Sequence, residues 1–200
     1  MSSEPSAPKS RSPTPLVVAI IAAVVLLAAG AIWFAWGPET SKTSLIGGAF
    51  SLRDGAGKTV TDKTMLGKPF LVYFGYTHCP DVCPTELARI SDALAKMGGQ
   101  AVPALFITVD PERDTPKAMA DYVSSFDAHI IGLSGTPQEI EAAERAYRVY
   151  ARKGKADASG DYPMDHSSIV YLMNKSGQFV EALNLDRPPE DVAKELAGYL

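Results

Sequence analysis

A long apolar stretch near the start of the chain stands apart from everything that follows it. Residues 16–36 are 21 consecutive apolar residues or glycine, without one charged side chain. As a helix they would be about 32 Å long, which matches the hydrocarbon thickness of a bilayer. The stretch therefore predicts one transmembrane helix. A cleaved signal peptide is the alternative, because residues 28–31 are small, but the apolar run is longer than an ordinary signal core.

The segments on either side of this stretch predict its orientation. Residues 1–15 are rich in Ser and Pro, which is typical of a disordered tail, and their basic residues are Lys9 and Arg11. Basic residues before a span favour a cytoplasmic tail. We therefore expect a single-pass inner-membrane protein with a linker at residues 37–45 and a periplasmic domain at residues 46–200. A mitochondrial intermembrane space fits the same pattern.

Beyond residue 45, apolar positions alternate between the spacing of strands and that of helices. Short apolar, β-branched runs predict strands at residues 70–74, 102–109 and 130–133, and hairpins at residues 50–60 and 169–182. Helical spacing, with proline at the first position, predicts helices at residues 84–97, 116–126, 137–150 and 189–200, with Thr115 and Thr136 as N-caps. Strands that alternate with helices, followed by a closing hairpin, predict an α/β fold with a mixed sheet flanked by helices.

The charge of the chain excludes some partners. The whole sequence has 19 basic and 23 acidic residues, and without the tail 17 and 22 remain, a net charge of −5. A mildly acidic domain argues against binding to nucleic acid or to an anionic lipid surface. Its length fits one domain with a full-sized core.

Both cysteines of the chain lie in the turn between the strand at residues 70–74 and the following helix. Cys79 and Cys83 are separated by three residues, and we expect the helix to begin at Pro84, so that both thiols lie in a loop over its N-terminus. That position lowers the pKa of a thiol and favours the thiolate. The spacing allows both metal chelation and disulfide chemistry. A structural disulfide or two unconnected core cysteines are the alternatives, although a disulfide that closes so small a loop stabilises a fold only weakly.

Three histidines are candidates for a third ligand. His166 precedes the second hairpin in a loop that could reach the cysteines, although a hydrogen-bonded structural histidine is an equal alternative. His129 fits a surface position, and His78 is too close to Cys79 in the chain to reach the same ion without strain. Two thiolates and one imidazole favour copper over structural zinc, which usually has four ligands.

Several carboxylates accompany these residues without a clear role of their own. Asp81 and Asp165 could orient the ligands from outside, or be ordinary loop carboxylates. The acidic loop at residues 110–116 is explained by its prolines and the capping threonine as a connection between a strand and a helix.

The order of these motifs resembles the Sco/SenC family. The resemblance rests on the anchor, residues 79–84 (Cys-Pro-Asp-Val-Cys-Pro), residues 110–116 (Asp-Pro-Glu-Arg-Asp-Thr-Pro) and residues 165–167 (Asp-His-Ser), and covers nearly all of residues 47–200. It implies a thioredoxin-like fold and copper, as Cu(I) or Cu(II), bound by Cys79, Cys83 and His166. It also implies delivery of copper to the dinuclear copper site of cytochrome c oxidase.

Two functions follow from the resemblance and stay open at this point. The first is a copper metallochaperone whose partner is the copper-bearing subunit of the oxidase, loaded by a periplasmic copper donor. The second is an enzyme on the same fold, a thiol–disulfide reductase for the oxidase cysteines or a thiol peroxidase, in which Cys79 and Cys83 form a redox-active disulfide maintained by a thiol reductant. A pure oxidoreductase needs no third soft-metal ligand, so His166 favours the chaperone.

Overall fold

The computed structural model describes residues 19–20, 22–29 and 45–200. The chain divides into one unit that ends at Thr43 and a second that begins at Ser44. In the first unit, residues 19–20 and 22–29 are helical. The predicted tail, most of the predicted span and residues 37–44 of the linker lie outside the described residues. Within the described ranges, no helix is both long enough and apolar enough to cross a membrane.

The second unit contains nine strands and four α-helices within residues 45–200. In chain order they are β1 Ser51–Arg53, β2 Thr59–Thr61, β3 Phe70–Gly75, α1 Val82–Met97, β4 Ala104–Thr108, α2 Pro116–Val123, β5 Ile130–Leu133, α3 Pro137–Tyr147, β6 Ala151–Lys153, β7 Met164–His166, β8 Val170–Met173, β9 Phe179–Ala182 and α4 Pro189–Ala197.

Five of the strands form one mixed sheet in the order β5-β4-β3-β8-β9. Strands β3, β4 and β5 are parallel, β8 pairs antiparallel to β3, and β9 pairs antiparallel to β8. Every residue of β3 and β4 is buried, which explains why their sequences are apolar without alternation. The predicted mixed α/β sheet is therefore confirmed, and its parallel strands end at the edge where the cysteines follow β3.

Two further pairs of strands lie outside this sheet. β1 pairs with β2, and a single bridge joins Arg53 to Ser134. β6 pairs with β7, so that Ala151 lies opposite His166. We call β6, β7 and their connection the histidine hairpin. The sequence predicted a loop here, and this prediction was wrong.

The helices lie where the sequence predicted them, but some of their ends differ from the prediction. Thr115 and Thr136 are the N-caps of α2 and α3, and Thr136 forms a reciprocal capping box with Glu139. Three helices end three residues earlier than predicted, at Val123, Tyr147 and Ala197. After α3, Arg148 has a left-handed backbone conformation, which ends the helix.

Candidate metal centre

The cysteine turn, residues 76–83, connects β3 to α1 and places its two thiols differently. α1 begins at Val82 rather than at the predicted Pro84, because a proline in the first helical turn removes an N–H group that has no intrahelical acceptor there. Cys83 therefore lies in the first turn of the helix, and its backbone N–H donates to Cys79 Sγ at 3.3 Å. The helix N-terminus thus supports the Cys79 sulfur directly.

Cys83 is packed into the core, whereas Cys79 is partly exposed. Cys83 has 0% of its surface exposed. The absence of a side chain at Gly75 makes this possible, because a Cβ there would lie 2.7 Å from Cys83 Sγ and 2.7 Å from Phe106 Cε2. Both thiols are free in this structure.

A buried carboxylate holds the start of the cysteine turn. Asp114 accepts hydrogen bonds from Thr77 N at 3.0 Å and from Thr77 Oγ1 at 2.5 Å. It also accepts one from Thr108 Oγ1, at the end of β4, at 2.7 Å. Asp114 has no exposed surface, so these donors replace the water that its charge has lost. The turn is thereby fixed to the adjacent parallel strand.

His166 reaches the cysteines from the histidine hairpin. Its Nδ1 lies 3.1 Å from the carbonyl oxygen of Ser167, which can only accept, so Nδ1 carries the proton. Nε2 is then the acceptor in the hydrogen bond with the Cys83 thiol, whose Sγ lies 3.7 Å away. The rings of His166 and Tyr76 pack edge to face, with their centroids 5.7 Å apart and their planes at 89°. This tautomer and orientation suit a metal ligand.

Cys79 Sγ, Cys83 Sγ and a ring nitrogen of His166 lie within 4.8 Å of one another. A metal bonded to a thiolate at about 2.3 Å and to an imidazole at about 2.0 Å separates sulfur from nitrogen by about 3.7 Å at a trigonal angle. The separation of Cys83 Sγ from His166 Nε2 is also 3.7 Å. The three side chains therefore fit one soft metal ion with little rearrangement.

Burial changes the protonation of two of these groups. It raises the pKa of the Cys83 thiol to about 12, and the neighbouring Cys79 adds to this effect. The predicted lowering of the thiol pKa is thus wrong for Cys83, because the loss of water outweighs the field of the helix N-terminus. Burial also lowers the pKa of His166, so its imidazole stays neutral at neutral pH. A metal that binds here displaces the Cys83 proton and meets a neutral imidazole.

The remaining candidates from the sequence do not join this group. His78 Nδ1 bonds with Thr77 Oγ1 at 3.0 Å, and His129 bonds with Asp127, as expected of surface histidines. The Nδ1 hydrogen bond of His166 goes to the backbone rather than to Asp81 or Asp165. Both carboxylates do line the cavity of about 310 Å³ that opens beside Cys79 and His166.

Sequence reasoning missed what the loop at residues 110–116 does for the site. Asp110 and Asp114 are both buried. Asp114 holds the cysteine turn, while Arg113 bonds to the histidine hairpin at Tyr162 O. Two aspartates beside an arginine in a loop between buried elements were the available signal, because buried charges need partners.

Comparison with known proteins gives concordant matches. The family profile described as SCO1/SenC matches residues 38–200. The Mus musculus protein "Protein SCO1 homolog, mitochondrial" is 41% identical over 160 residues, which cover 78% of this chain and 56% of that protein. The chain spans about half the length of the curated relatives it matches.

Two solved structures extend this likeness to three dimensions. Bradyrhizobium japonicum ScoI with copper bound matches with a TM-score of 0.75 and 55% identity, over 78% of this chain and 99% of that one. Yeast Sco1 with copper bound matches with a TM-score of 0.71 and 38% identity, over 77% and 87%. These matches confirm the predicted thioredoxin-like fold.

Proposed function

We propose that this chain, which belongs to the SCO1/SenC family, is a copper metallochaperone whose ligands are Cys79, Cys83 and His166. It would deliver copper to the dinuclear copper site of cytochrome c oxidase during assembly of the oxidase. The observation that carries the proposal is the third ligand, because the lone pair of His166 Nε2 faces a buried cysteine thiol at 3.7 Å. A thiol–disulfide exchange site needs no such group.

The donor set and the relatives support copper in particular. Thiolate and imidazole together suit Cu(I) and Cu(II). The solved relatives from Bradyrhizobium japonicum, Arabidopsis thaliana and yeast are described with copper bound. The coordinating groups come from two separate segments, so a bound ion would also join the cysteine turn to the histidine hairpin.

The unequal exposure of the thiols supports transfer of the ion. Cys83 is buried, while Cys79 is partly exposed beside the open cavity. A client thiolate can therefore displace Cys79 first while Cys83 and His166 still hold the copper. Two further client ligands then replace Cys83 and His166, which completes the exchange of ligands with no change in the oxidation state of copper.

Reduction of the oxidase cysteines is the second candidate, and the neighbouring free thiols favour it. In that reaction the Cys79 thiolate attacks a client disulfide and forms a mixed disulfide, releasing one client thiol. Cys83 then attacks Cys79 Sγ, which releases the second client thiol. The client gains two electrons and two protons, and the pair Cys79–Cys83 becomes a disulfide that a thiol reductant must restore.

We further propose that residues 16–36 anchor the domain in the inner membrane, with the tail in the cytoplasm and residues 46–200 in the periplasm. The 21-residue apolar run and the preceding Lys9 and Arg11 support this topology. An anchored chaperone meets a client in the same membrane at high effective concentration, so a weak interface suffices. The copper-bearing subunit of the oxidase is the proposed client.

Deletion of the gene under limiting copper tests this function. We expect oxidase activity to fall and added copper to restore part of it, because mass action can replace a carrier. Complementation should fail with Cys79→Ser and Cys83→Ser, and also with His166→Ala. His129→Ala is the matched control and should complement, because the His129 side chain is exposed and bonds with Asp127, outside the metal centre.

Other outcomes would favour the second candidate or remove both. Restoration by an external thiol reductant and never by copper, together with full complementation by His166→Ala, would support the reductase. Normal assembly of the oxidase at limiting copper without this protein would contradict any assembly role.

A further inference from the structure

The histidine hairpin packs on the core more loosely than the cysteine turn does, through the partly buried Ala151 and Met164. Its strands pair only with each other among the described strands, and their residues are exposed or half-buried. A cavity of about 290 Å³ separates part of the hairpin from α3, with Ile140, Glu144, Ala151 and Met164 among the lining residues. Apolar packing alone therefore does not fix the position of His166.

Arg113 binds the hairpin to the loop that follows β4. Its Nε donates to Asp110 Oδ2 at 2.5 Å, on its own loop. From the same guanidinium group, Nη1 donates to Asp161 Oδ1 at 2.5 Å and Nη2 to Tyr162 O at 2.9 Å. One side chain thus uses three directions of its planar group to join the two segments.

Aromatic contacts continue from Arg113 to His166. The guanidinium lies 3.7 Å from the centre of the Tyr162 ring and 5.8 Å from that of Tyr76. Tyr76 in turn packs edge to face against His166. The hydroxyl of Tyr162 donates to Asp110 Oδ1 at 2.9 Å, which closes the network on the side of the loop.

We propose that Arg113 is a positioning residue that holds His166 against Cys83 by binding the histidine hairpin to the β4–α2 loop. The inference rests on the proposed copper function, since it concerns the third ligand of that site. Arg113 touches neither the thiols nor the ion. It acts through the hairpin and through Tyr76, so its removal leaves the two cysteines in place while His166 moves away.

Copper titrations of the purified full-length chain test this role. Arg113→Ala should still bind one Cu(I) through the cysteines, but its affinity for Cu(II) should fall about tenfold or more, the cost typical of losing a group that orients a ligand. The Cu(II) spectrum should shift toward that of His166→Ala. Arg113→Lys should not restore either property, because an ammonium cannot donate in three fixed directions.

A double variant separates positioning from a general effect. In the His166→Ala background, Arg113→Ala should cause no further loss of Cu(II) affinity, because the residue through which it acts is gone. An additive loss, or unchanged affinity in the single variant, would overturn the proposal. Arg187→Ala is the matched control, since Arg187 also bonds to a carboxylate, that of Glu195, and to a backbone carbonyl, that of Asn184, away from the metal centre. It should bind Cu(II) like the unmodified chain.

A metal-free measurement keeps this test separate from the proposed function. In apo protein, Arg113→Ala should speed hydrogen exchange at Gly154 N–H, which donates to Pro163 O within the hairpin, and should abolish the nuclear Overhauser contact between the rings of Tyr76 and His166. If the unmodified chain bound no copper, the proposed function would fall, and these two signals would still decide the role of Arg113. If both were unchanged, the proposal would be wrong.

A milder substitution covers the case in which Arg113→Ala does not fold. Asp161 is 64% exposed, so Asp161→Asn removes one charged contact of Arg113 without disturbing the core. We expect it to weaken Cu(II) binding by about two- to threefold and to speed exchange at Gly154 in the same direction. No change in either measurement would overturn the proposal.

Discussion

The cysteine turn and the histidine hairpin bring Cys79, Cys83 and His166 to the same point, but different forces hold the two segments. The turn directly follows β3, every residue of which is buried, and Cys83 itself belongs to the core. The hairpin lies outside the central sheet and is held by hydrogen bonds, ion pairs and cation–π contacts, with only Ala151 and Met164 of its strands packed against the core. Half of the site is therefore part of the folding core, and we expect the other half to open more readily than the core unfolds.

Two neighbouring residues serve these two halves. Asp114, which is buried, fixes the cysteine turn, and Arg113, which is 17% exposed, fixes the hairpin. Because the two residues are adjacent, movement of the β4–α2 loop would displace the cysteine turn and the histidine hairpin together.

The largest effect on the free energy of unfolding is expected at Asp114, which holds the cysteine turn. Asp114→Ala leaves the donors of Thr77 and Thr108 without their acceptor, so we expect a loss of about 3 kcal/mol in the free energy of unfolding. Arg113→Ala should cost less, about 2 kcal/mol, because Tyr162 still donates to the buried Asp110 and the contact of Arg113 with Asp161 is exposed. Urea unfolding of the apo protein measures both.

Asp81→Ala is the control for this pair. Asp81 is exposed and its side chain makes no cap hydrogen bond, so its removal should change stability by less than about 0.5 kcal/mol. Equal losses for Asp114→Ala and Arg113→Ala would break the distinction between a core-fixed turn and a surface-fixed hairpin.

A smaller effect is expected where Cys83 meets the sheet. In Gly75→Ala the new methyl group would lie 2.7 Å from Cys83 Sγ, so the helix start or the thiol must move. Overpacking of this kind costs about 2 kcal/mol, measured by urea unfolding, and should also weaken Cu(I) binding. Gly99→Ala is the control, because a Cβ at Gly99 meets nothing within 4 Å. Unchanged stability and copper binding in Gly75→Ala would show that Cys83 is not fixed by the core.

The smallest effect is expected beside the cavity under the hairpin. Burial raises the pKa of Glu144 from 4.5 to about 7. Between these values the unfolded chain loses the proton first, so the stability that the neutral carboxyl contributes is present below pH about 4.5 and is lost as the pH rises to about 7. Glu144→Gln should remove this slope and raise stability at pH 7 by about 1 kcal/mol, since the group is only half-buried.

Urea unfolding at several pH values between 4 and 8 checks this expectation. Asp92→Asn, an exposed substitution on α1, should leave the slope unchanged. A slope that persists in Glu144→Gln would mean that other groups cause it and that the cavity wall is well solvated.

The sequence predicted the core-fixed half far better than the other. The apolar run of β3 and the spacing of Leu87, Ile90 and Leu94 follow directly from burial, so strand, turn and helix were all predicted. The predicted start of α1 at Pro84 is two residues late, because a proline is tolerated throughout the first helical turn and does not mark its first residue. The predicted lowering of the pKa of the Cys83 thiol was wrong. The complete burial of this thiol depends on Gly75 and Phe106, which come together only in the folded sheet.

The hairpin left almost no pattern to find. Its strands are three residues long and half-buried or exposed, so apolar alternation is absent, and polar contacts over 48 or 49 positions hold it in place. Resemblance to a family could identify His166 as a ligand, while its hydrogen bond to Ser167 O and its contact with Tyr76 required the structure. Polar networks between distant segments leave no periodic signal in a sequence.

X-ray absorption at the copper edge of the copper-loaded full-length chain tests the central claim most directly. The account predicts one copper ion with two sulfur neighbours and one imidazole nitrogen. The nitrogen should disappear in His166→Ala and tight binding should disappear in the double variant Cys79→Ser, Cys83→Ser. A copper site with sulfur neighbours alone, unchanged by His166→Ala, would contradict the claim that the turn and the hairpin together form the metal centre.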